Sequence, residues 1–442
     1  MSATITLPKD VQTVLDTFVI SHERLVKISD DMQAEFTAGL EGGTSNGRSS
    51  IAMLPSFVPA LPDGSETGKY VAIDLSGKNL RILLLTLNGG GKDPSEPVIN
   101  NFIVPNPVMK GTGEQLFNFI VNCLQKFLKE FNLEEANLPI GFVFSYPCQL
   151  LSIRSARLLW WTKGFDIKDC LQKDVVELLE EALELNMLAA AAHRYGSECV
   201  AAVVIGYGCN SSYLEDTDKI KKFDAKAAGY NHKQMVIVTE WEEFGAKGEL
   251  ADILTPFDKE IDDASVHRGK QIIDKLTGAL YLGDLVRRIL AQFVIDRVLF
   301  NGTPVEKLDQ ADMFPTKYIS EILGDESGIF KVCRRICDEL EVPNHGSNDY
   351  QIIHEVCHIV SQRSASIVAA AISALLRHLG RPCVKVGVGG ALIQFHPTYH
   401  ALLEAQLNSL APLNIQWELV SADEGSAKGA ALIAAVAAKL DL

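Results

Sequence analysis

The sequence lacks the features that place a protein outside the cell, in a membrane or on nucleic acid. Its nine cysteines include no Cys-x-x-Cys pair and no signal peptide opens the chain, so we expect reduced thiols rather than a disulfide framework. The longest apolar stretches, such as Ile367–Leu376, are much shorter than the ~20 residues that span a bilayer. The net charge of −15, from 41 basic and 56 acidic residues, disfavours phosphate-backbone and anionic-membrane partners. We therefore predict a cytoplasmic protein with no nucleic-acid partner and no membrane insertion.

The chain is long and apolar enough for two globular units. Of its 442 residues, 47% are apolar and 22% are charged, and single cores stop growing near ~250–300 residues. Helix and strand patterns alternate along most of the sequence, without an internal repeat. We predict a helix over Val11–Leu40, a β-meander of Tyr70–Leu75, Leu80–Leu87 and Val98–Val104, a helix over Gly113–Phe131, strands at Leu138–Ser145, Cys199–Ile205 and Met235–Thr239, a mainly helical region from Gly269, and late strands at Val384–Val388 and Ile415–Leu419. This order predicts an α/β protein with two lobes.

The segment 139–166 carries side chains suited to a polyhydroxylated ligand. It reads PIGFVFSYPCQLLSIRSARLLWWTKGFD, which predicts an apolar strand, a Ser-Tyr-Pro turn and then a helix-like stretch. The strand delivers Ser145 to the turn, and the later stretch places the hydroxyl of Thr162 beside the ammonium of Lys163. Such a set of hydroxyl and ammonium groups suits the hydroxyl rim of a sugar.

A tight turn near the start of the chain could bind phosphate. Asp74-Leu75-Ser76-Gly77-Lys78-Asn79-Leu80-Arg81 lies on the first predicted hairpin. A turn of this kind can aim successive backbone N–H groups at an anion. Taken alone, a glycine-containing hairpin is more often only a turn.

Together these segments resemble the hexokinases. Further shared motifs are WTKGF at Trp161–Phe165, MLPSFV at Met53–Val58, GTGEQLF at Gly111–Phe117 and YLGDLVR at Tyr281–Arg287. The resemblance runs from about Val11 to Leu442 and is of the animal, single-unit type. It implies the two-lobed α/β fold of actin-like ATPases and sugar kinases, with a large domain at 1–66 and 190–428, a small domain at 67–189 and a C-terminal helix at 429–442.

The resemblance also implies ligands and the residues that bind them. Hexokinases transfer a phosphoryl group from Mg-ATP to the 6-hydroxyl of a hexose, so we expect a glucose-like hexose as partner and Mg-ATP as cofactor if the chain is active. The implied sugar-binding residues are Ser145, Thr162, Lys163, Asn210, Glu240 and Asp274. The implied phosphate- and ATP-binding residues are Asp74, Gly77, Lys78, Asn79, Arg81, Gly206, Gly208, Gly390, Gly425 and Ser426.

Several positions depart from the family motifs. Glu242 stands where the motif Asn-x-Glu-Trp-Gly-x-Phe-Gly has its first glycine, and Asp274 is one methylene shorter than the family's glutamate. Tyr207 puts a phenol ring where a phosphate oxygen would lie. The other replaced positions are Ser76, Lys78, Val238, Gly389, Ala391, Glu424 and Ala427.

The largest departure is a missing element after Asp174. The sequence there reads DVVELLEEALELNMLAAAAHRYGSECVAAVVIGYGCN, whereas hexokinases carry a further strand and an Asn-Asp-Thr-x-Gly-Thr loop whose aspartate takes the proton from the attacking sugar hydroxyl. The omission predicts a continuous helix over Asp174–Tyr195, a sheet that is one strand short, and a weakly active or inactive enzyme with no catalytic residue of its own. The alternative is a working hexokinase, either because the transcript contains the missing codons or because another carboxylate substitutes.

A remote alternative is a zinc protein. His354-Glu355-Val356-Cys357-His358 matches HExxH on a predicted helix, the spacing that lets two imidazoles share a zinc ion. No third ligand stands at a metalloprotease spacing, and the apolar neighbours of these residues indicate a core helix. We therefore predict no metal site.

Overall fold

The chain folds around two main β-sheets, and a two-stranded hairpin forms a third. The computed structural model describes residues 7–42, 49–90, 95–133, 138–152, 155–172, 175, 199–206, 208–265, 267–422, 432–436 and 439. The α-helices in these ranges are α1 (Lys9–Asp16), α2 (His22–Gly42), α3 (Asn106–Met109), α4 (Gly113–Glu130), α5 (Pro256–Ala264), α6 (Ile272–Thr277), α7 (Ala279–Ile295), α8 (Thr316–Leu323), α9 (Lys331–Glu339), α10 (Ser347–Leu379), α11 (Ala391–Phe395) and α12 (Tyr399–Leu410). The strands are β1 (Leu54–Pro55), β2 (Thr67–Ser76), β3 (Asn79–Asn88), β4 (Val98–Ile103), β5 (Ile140–Phe144), β6 (Cys148–Ser152), β7 (Ser155–Leu158), β8 (Cys199–Ile205), β9 (Cys209–Asp216), β10 (Gln234–Val238), β11 (Cys383–Gly389) and β12 (Gln416–Ser421).

Each main sheet defines one lobe. The small lobe contains α3, α4, the β6–β7 hairpin and a four-stranded sheet in the order β4-β3-β2-β5, in which β5 runs parallel to β2. The large lobe contains the other helices and a six-stranded sheet in the order β1-β10-β9-β8-β11-β12. In this second sheet β8, β11 and β12 are parallel and the remaining pairs are antiparallel. Parallel strands whose carboxyl ends meet at one edge commonly form ligand sites there.

The small-lobe core lies between its sheet and α4. Thr112 caps this helix, since its hydroxyl accepts from the Gln115 N–H (3.3 Å) while the Gln115 side chain accepts from the Thr112 N–H (3.0 Å). The helix then buries one apolar face, including Leu116, Ile120 and Phe127, in a core shared with apolar side chains of β2, β3 and β5.

The large-lobe core surrounds α10. This helix has 33 residues and ends at Gly380, whose φ of +59° allows its N–H to bond the Leu376 carbonyl. It is long and apolar enough to cross a membrane, yet 89% of its apolar window is buried inside the fold. The burial identifies it as a core helix, packed by α2, α7 and α12.

A short helical segment, residues 432–436, contacts both sheets. Leu432 and Ala435 pack in a cluster with Tyr70 and Val143 of the small lobe. Ile433 packs against a second cluster that includes Val204 of the large lobe as well as against the first. Residues 432–436 therefore join the two lobes.

Most predicted elements are present, and two predictions are wrong. The stretch after Pro147 is not helical: β6 and β7 form a hairpin in which Cys148 opposes Leu158. Short apolar runs are compatible with a helix or a strand. Here Cys148 and Leu158 are both buried in the small-lobe core, and the two runs pair as strands. The predicted helix over 11–40 is two helices, because the chain turns between Asp16 and His22. Apart from Val175, the predicted helix over Asp174–Tyr195 lies outside the described residues.

Candidate functional site

Ser145, Tyr146 and Lys163 meet at the end of β5. Ser145 follows Phe144, the last residue of that strand, and its N–H donates to the carbonyl of Leu75 in β2 (3.3 Å). The Lys163 Nζ donates to the Ser145 carbonyl at 2.7 Å and lies 5.7 Å from the centroid of the Tyr146 ring. A hydrogen bond and a cation–π contact therefore hold the lysine charge beside Ser145.

The hydroxyl groups at this point are buried. Ser145 is 4% exposed, and its Oγ has no hydrogen-bond partner within the described residues. Thr162, next to Lys163, is buried as well. Burial raises the pKa of Tyr146 well above its ordinary value, and the nearby charge of Asp74 adds to this effect. Since a buried hydroxyl without a partner is costly, the Ser145 Oγ is a natural contact for a ligand hydroxyl.

The first phosphate segment forms the β2–β3 hairpin. Ser76 pairs with Asn79 across a two-residue loop, and the positive φ of +56° falls on Gly77 rather than on Ser76. The serine that replaces a family glycine is therefore not strained. Asp74 is buried on β2 opposite Arg81 of β3, while Lys78, Asn79 and Arg81 are exposed.

Gly206, Gly208 and Gly390 converge where β8 and β11 end. The Gly206 N–H donates to the Gly208 carbonyl (2.9 Å), and the Gly206 carbonyl accepts from the Ala279 N–H (2.8 Å). Gly390, with φ +102°, approaches this turn so closely that a Cβ would lie 2.7 Å from the Ile205 carbonyl. Backbone groups thus come together without side chains, as a polyphosphate cradle requires.

Asn210, Glu240 and Asp274 are brought together on the large-lobe side. The Asn210 Oδ1 accepts from the Thr239 hydroxyl (2.8 Å) and from the Trp241 N–H (3.3 Å). Glu240 has a left-handed backbone with φ +53° and is 8% exposed. The Asp274 Oδ1 accepts from the Cys209 N–H at 2.7 Å, which places this carboxylate beside the residue that precedes Asn210.

Glu242 lies near Glu240 and Asp274, and these three carboxyl groups form an acidic cluster. Glu242 is 5% exposed, and neither carboxyl oxygen receives a hydrogen bond from a described donor. Burial raises the pKa of Glu242 well above its ordinary value, and the charges of Glu240 and Asp274 raise it further. The sequence signals this position only through the replaced glycine, because an isolated glutamate usually indicates a solvated surface.

The remaining sequence predictions fall into two groups. Gly425, Ser426 and Tyr207 lie outside the described residues. The HExxH histidines are on α10, where His354 Nδ1 is 3.5 Å from Glu355 of the same turn. In the described ranges, no group of three or more His, Cys, Asp or Glu side chains is arranged to hold a metal ion.

The described residues suit the phosphate part of Mg-ATP. Lys78 and Arg81 are exposed cations near the β2–β3 turn, and Gly206, Gly208 and Gly390 bring backbone groups together at the ends of β8 and β11. Asp74 supplies the carboxylate oxygen type that Mg²⁺ prefers. If Mg-ATP binds here, it would supply the phosphoryl group, and its magnesium ion would offset part of the phosphate charge.

Sequence comparison with known proteins points to the hexokinases. Two hexokinase family models match residues 10–194 and 200–436. The hexokinase of Brugia malayi is 43% identical over 450 residues, which cover 98% of this chain and 78% of that protein. Human hexokinase-3 is 37% identical and covers 97% of this chain, which spans about half (47%) of the human protein.

A solved structure agrees in fold over nearly the whole chain. The hexokinase of Schistosoma mansoni complexed with glucose superposes with a TM-score of 0.90 at 34% identity, covering 97% of this chain and 98% of that one. This likeness confirms the two-lobed α/β sugar kinase fold. The matched family models, the sequence relatives and the superposition together show that this chain belongs to the hexokinase family.

Proposed function

We propose that this protein binds a glucose-like hexose between its lobes and has little or no hexokinase activity. The observation that carries the proposal is the absence of the Asn-Asp-Thr loop: from Val175 to Glu198 the sequence contains no aspartate. The alignment with the Brugia malayi hexokinase contains gaps in this chain, because its 450 positions exceed the 442 residues of this chain.

The hexose is held by residues from both lobes in this proposal. Ser145, Thr162 and Lys163 contact it from the small lobe, while Asn210, Glu240 and Asp274 contact it from the large lobe. The buried Ser145 Oγ and the carboxyls of Glu240 and Asp274 supply the hydroxyl partners that such a ligand needs. Glucose is the ligand named for the Schistosoma mansoni structure, which makes it the first probe.

Catalysis is impaired because a proton acceptor is missing. Loss of a positioned general base typically lowers the rate by about 10²–10⁴-fold. The missing loop also supplies sugar contacts in the family, so affinity falls together with turnover. The remaining role is then sugar sensing or protein interaction in the cytoplasm.

A coupled assay for glucose 6-phosphate tests the proposal. The purified protein is compared with the Brugia malayi hexokinase under the same conditions, and we expect kcat at least ~10²-fold below that of the relative. Glucose should still raise the melting temperature, because a ligand that binds only the native state stabilises it. Robust turnover would refute the loss of activity, and the absence of a glucose shift would refute the sugar-binding role.

The alternative is a working hexokinase, which applies if the transcript in fact encodes the strand and Asn-Asp-Thr loop that are missing after Asp174. Sequencing the transcript across Leu185–Met187 separates the two cases, since recovered codons for an Asn-Asp-Thr loop would restore the acceptor.

A further inference from the structure

Lys275 on α6 is a buried lysine that binds the loop between α5 and α6. Its side chain is 4% exposed, and its Nζ contacts three oxygens: the Asp262 Oδ1 (2.5 Å), the His267 carbonyl (2.6 Å) and the Lys270 carbonyl (2.8 Å). An ammonium group has three N–H donors and no acceptor, so every donor of Lys275 has a partner. A buried charge is costly unless it is hydrogen-bonded in this way, and the three oxygens are therefore kept close to Nζ.

The carboxylate of Asp262 closes the same loop at a second point. Both of its oxygens accept from the Gly269 N–H, at 2.9 and 3.0 Å. Asp262 belongs to the end of α5, whereas Gly269 lies just before α6. These three residues, Asp262, Gly269 and Lys275, form the α5–α6 clamp, which joins the end of one helix to the start of the next.

The start of α6 needs such a clamp because the helix is short and its first peptide is strained. The helix has six residues, whereas isolated helices shorter than ~12–15 residues are marginal in water. Gln271, which precedes it, has a left-handed backbone with φ +53° and makes no side-chain cap. A residue other than glycine keeps this conformation only where its surroundings impose it. The Lys270 carbonyl belongs to the peptide bond that joins Lys270 to Gln271, so the Lys275 ammonium fixes this peptide directly.

Asp274 lies in the first turn of α6, next to Lys275. Its Oδ1 accepts from the Cys209 N–H at 2.7 Å, and its own carbonyl accepts from the Gly278 N–H at 2.7 Å. The carboxylate therefore reaches β9 only while the first turn of α6 keeps its place. Fraying or rotation of that turn would carry the Asp274 carboxylate away from Cys209.

We infer that Lys275 is a positioning residue of the sugar site: through the α5–α6 clamp its ammonium fixes the first turn of α6 and so holds the Asp274 carboxylate against β9. This inference rests on the proposed hexose binding, because Asp274 is one of the residues proposed to contact the sugar. Lys275 contacts no ligand in this role, since the loop occupies its three donors.

Hydrogen exchange at the Cys209 amide tests the inference without a sugar. In Lys275→Met the exchange rate of this amide should rise by about tenfold or more, because its hydrogen bond to a charged group is weakened. The hydrogen-bonded Val236 amide of β10 should keep its rate, whereas a general loss of stability would raise both rates. Lys317→Met, which removes an exposed lysine, is the control and should leave both rates unchanged.

Glucose titration by calorimetry tests the connection to the sugar site. Lys275→Met and Asp274→Ala should each raise the dissociation constant for glucose by about tenfold, and the double variant should bind no more weakly than Asp274→Ala. A purely structural loss would instead add in the double variant, since it does not act through Asp274. Asp262→Asn weakens the clamp at a side chain that is 23% exposed. It should produce smaller changes of the same kind, and it replaces Lys275→Met if that variant does not fold.

The outcomes separate this inference from the proposed function. Unchanged exchange at Cys209 in Lys275→Met and Asp262→Asn would overturn the positioning role, and so would fully additive losses of glucose affinity. If the wild type binds no glucose, the sugar-binding proposal itself fails. Faster exchange at Cys209, with Val236 unchanged, would then still show that Lys275 holds the Asp274 carboxylate in place.

Discussion

The carboxylate of Asp274 supports the turn that contains Gly208 and Cys209. Its Oδ1 accepts from the Cys209 N–H at 2.7 Å, and a Cβ at Gly208 would collide with the same carboxylate. A side chain proposed to bind sugar thus also shapes the turn proposed to bind phosphate. The two halves of the site are therefore mechanically coupled.

Asp274→Ala should expose the Cys209 amide. Hydrogen bonds to charged groups contribute about 1.5–3 kcal/mol, which corresponds to roughly 10–150-fold faster amide exchange when the acceptor is removed. Hydrogen exchange followed by mass spectrometry or NMR measures this rate. Asp274→Asn keeps an acceptor and should show a smaller increase, and unchanged exchange in the alanine variant would contradict the hydrogen bond.

Gly208→Ala should destabilise the protein through that same contact. Overpacking typically costs about 1–3 kcal/mol, read from urea unfolding. Gly206→Ala is the matched control, since its Cβ would meet nothing closer than 4.0 Å and its φ is not positive. In an Asp274→Ala background the cost of Gly208→Ala should shrink, and an additive double variant would assign the strain to another neighbour.

Arg363 and Asp258 form a buried bidentate ion pair on which the large lobe depends. The two N–O distances are 2.6 and 2.8 Å, and both side chains are at most 3% exposed. Arg363→Met strands a buried carboxylate and should lower the free energy of unfolding by about 3–5 kcal/mol.

Two variants check the Arg363 prediction in chemical denaturation. Arg335→Met breaks an exposed pair with Glu339 and should cost at most ~1 kcal/mol. Arg363→Met combined with Asp258→Leu should recover part of the loss, because no unpaired charge remains. Equal effects of Arg363→Met and Arg335→Met would show that burial does not matter here.

Glu215 should make the protein sensitive to acid. Burial alone would raise the pKa of Glu215, but hydrogen bonds from His378, the Asp216 N–H and Lys219 lower it from 4.5 to about 2. A depressed folded-state pKa adds stability above the unfolded value, and this stability is lost as the pH falls from about 4.5 towards 2. The melting temperature of the wild type should fall over this window more steeply than that of Glu215→Gln, with Glu306→Gln as control. Parallel curves for wild type and Glu215→Gln would contradict the assignment.

The sequence predicts those elements whose signals are local. The β2–β3 hairpin follows from two apolar runs around Ser76-Gly77-Lys78-Asn79, and α4 follows from its apolar spacing. The β6–β7 hairpin was missed because short apolar runs fit both the helix and the strand period, and the pairing of the two strands with each other decides between them. β9 was missed for a different reason: it begins with the polar residues Asn210, Ser211 and Ser212, which are nevertheless buried within the sheet.

Site residues were predictable where a motif fixes them, but their environment was not. The order of motifs places Ser145, Glu240 and Asp274 on the candidate list. The burial of Glu242 depends on the anchoring of Trp241 to Cys209, a contact between residues 32 positions apart. Contacts between residues so far apart produce no periodic pattern in the sequence. The burial of Glu242, which replaces a glycine of the family motif, could therefore not be predicted.

The segment at residues 432–436 has a consequence for movement. Because Leu432 and Ala435 touch one sheet while Ile433 touches both, any change in the angle between the sheets must slide apolar side chains across this single turn. We expect side chains shortened there to weaken the contact between the two lobes while leaving the site residues described above in place.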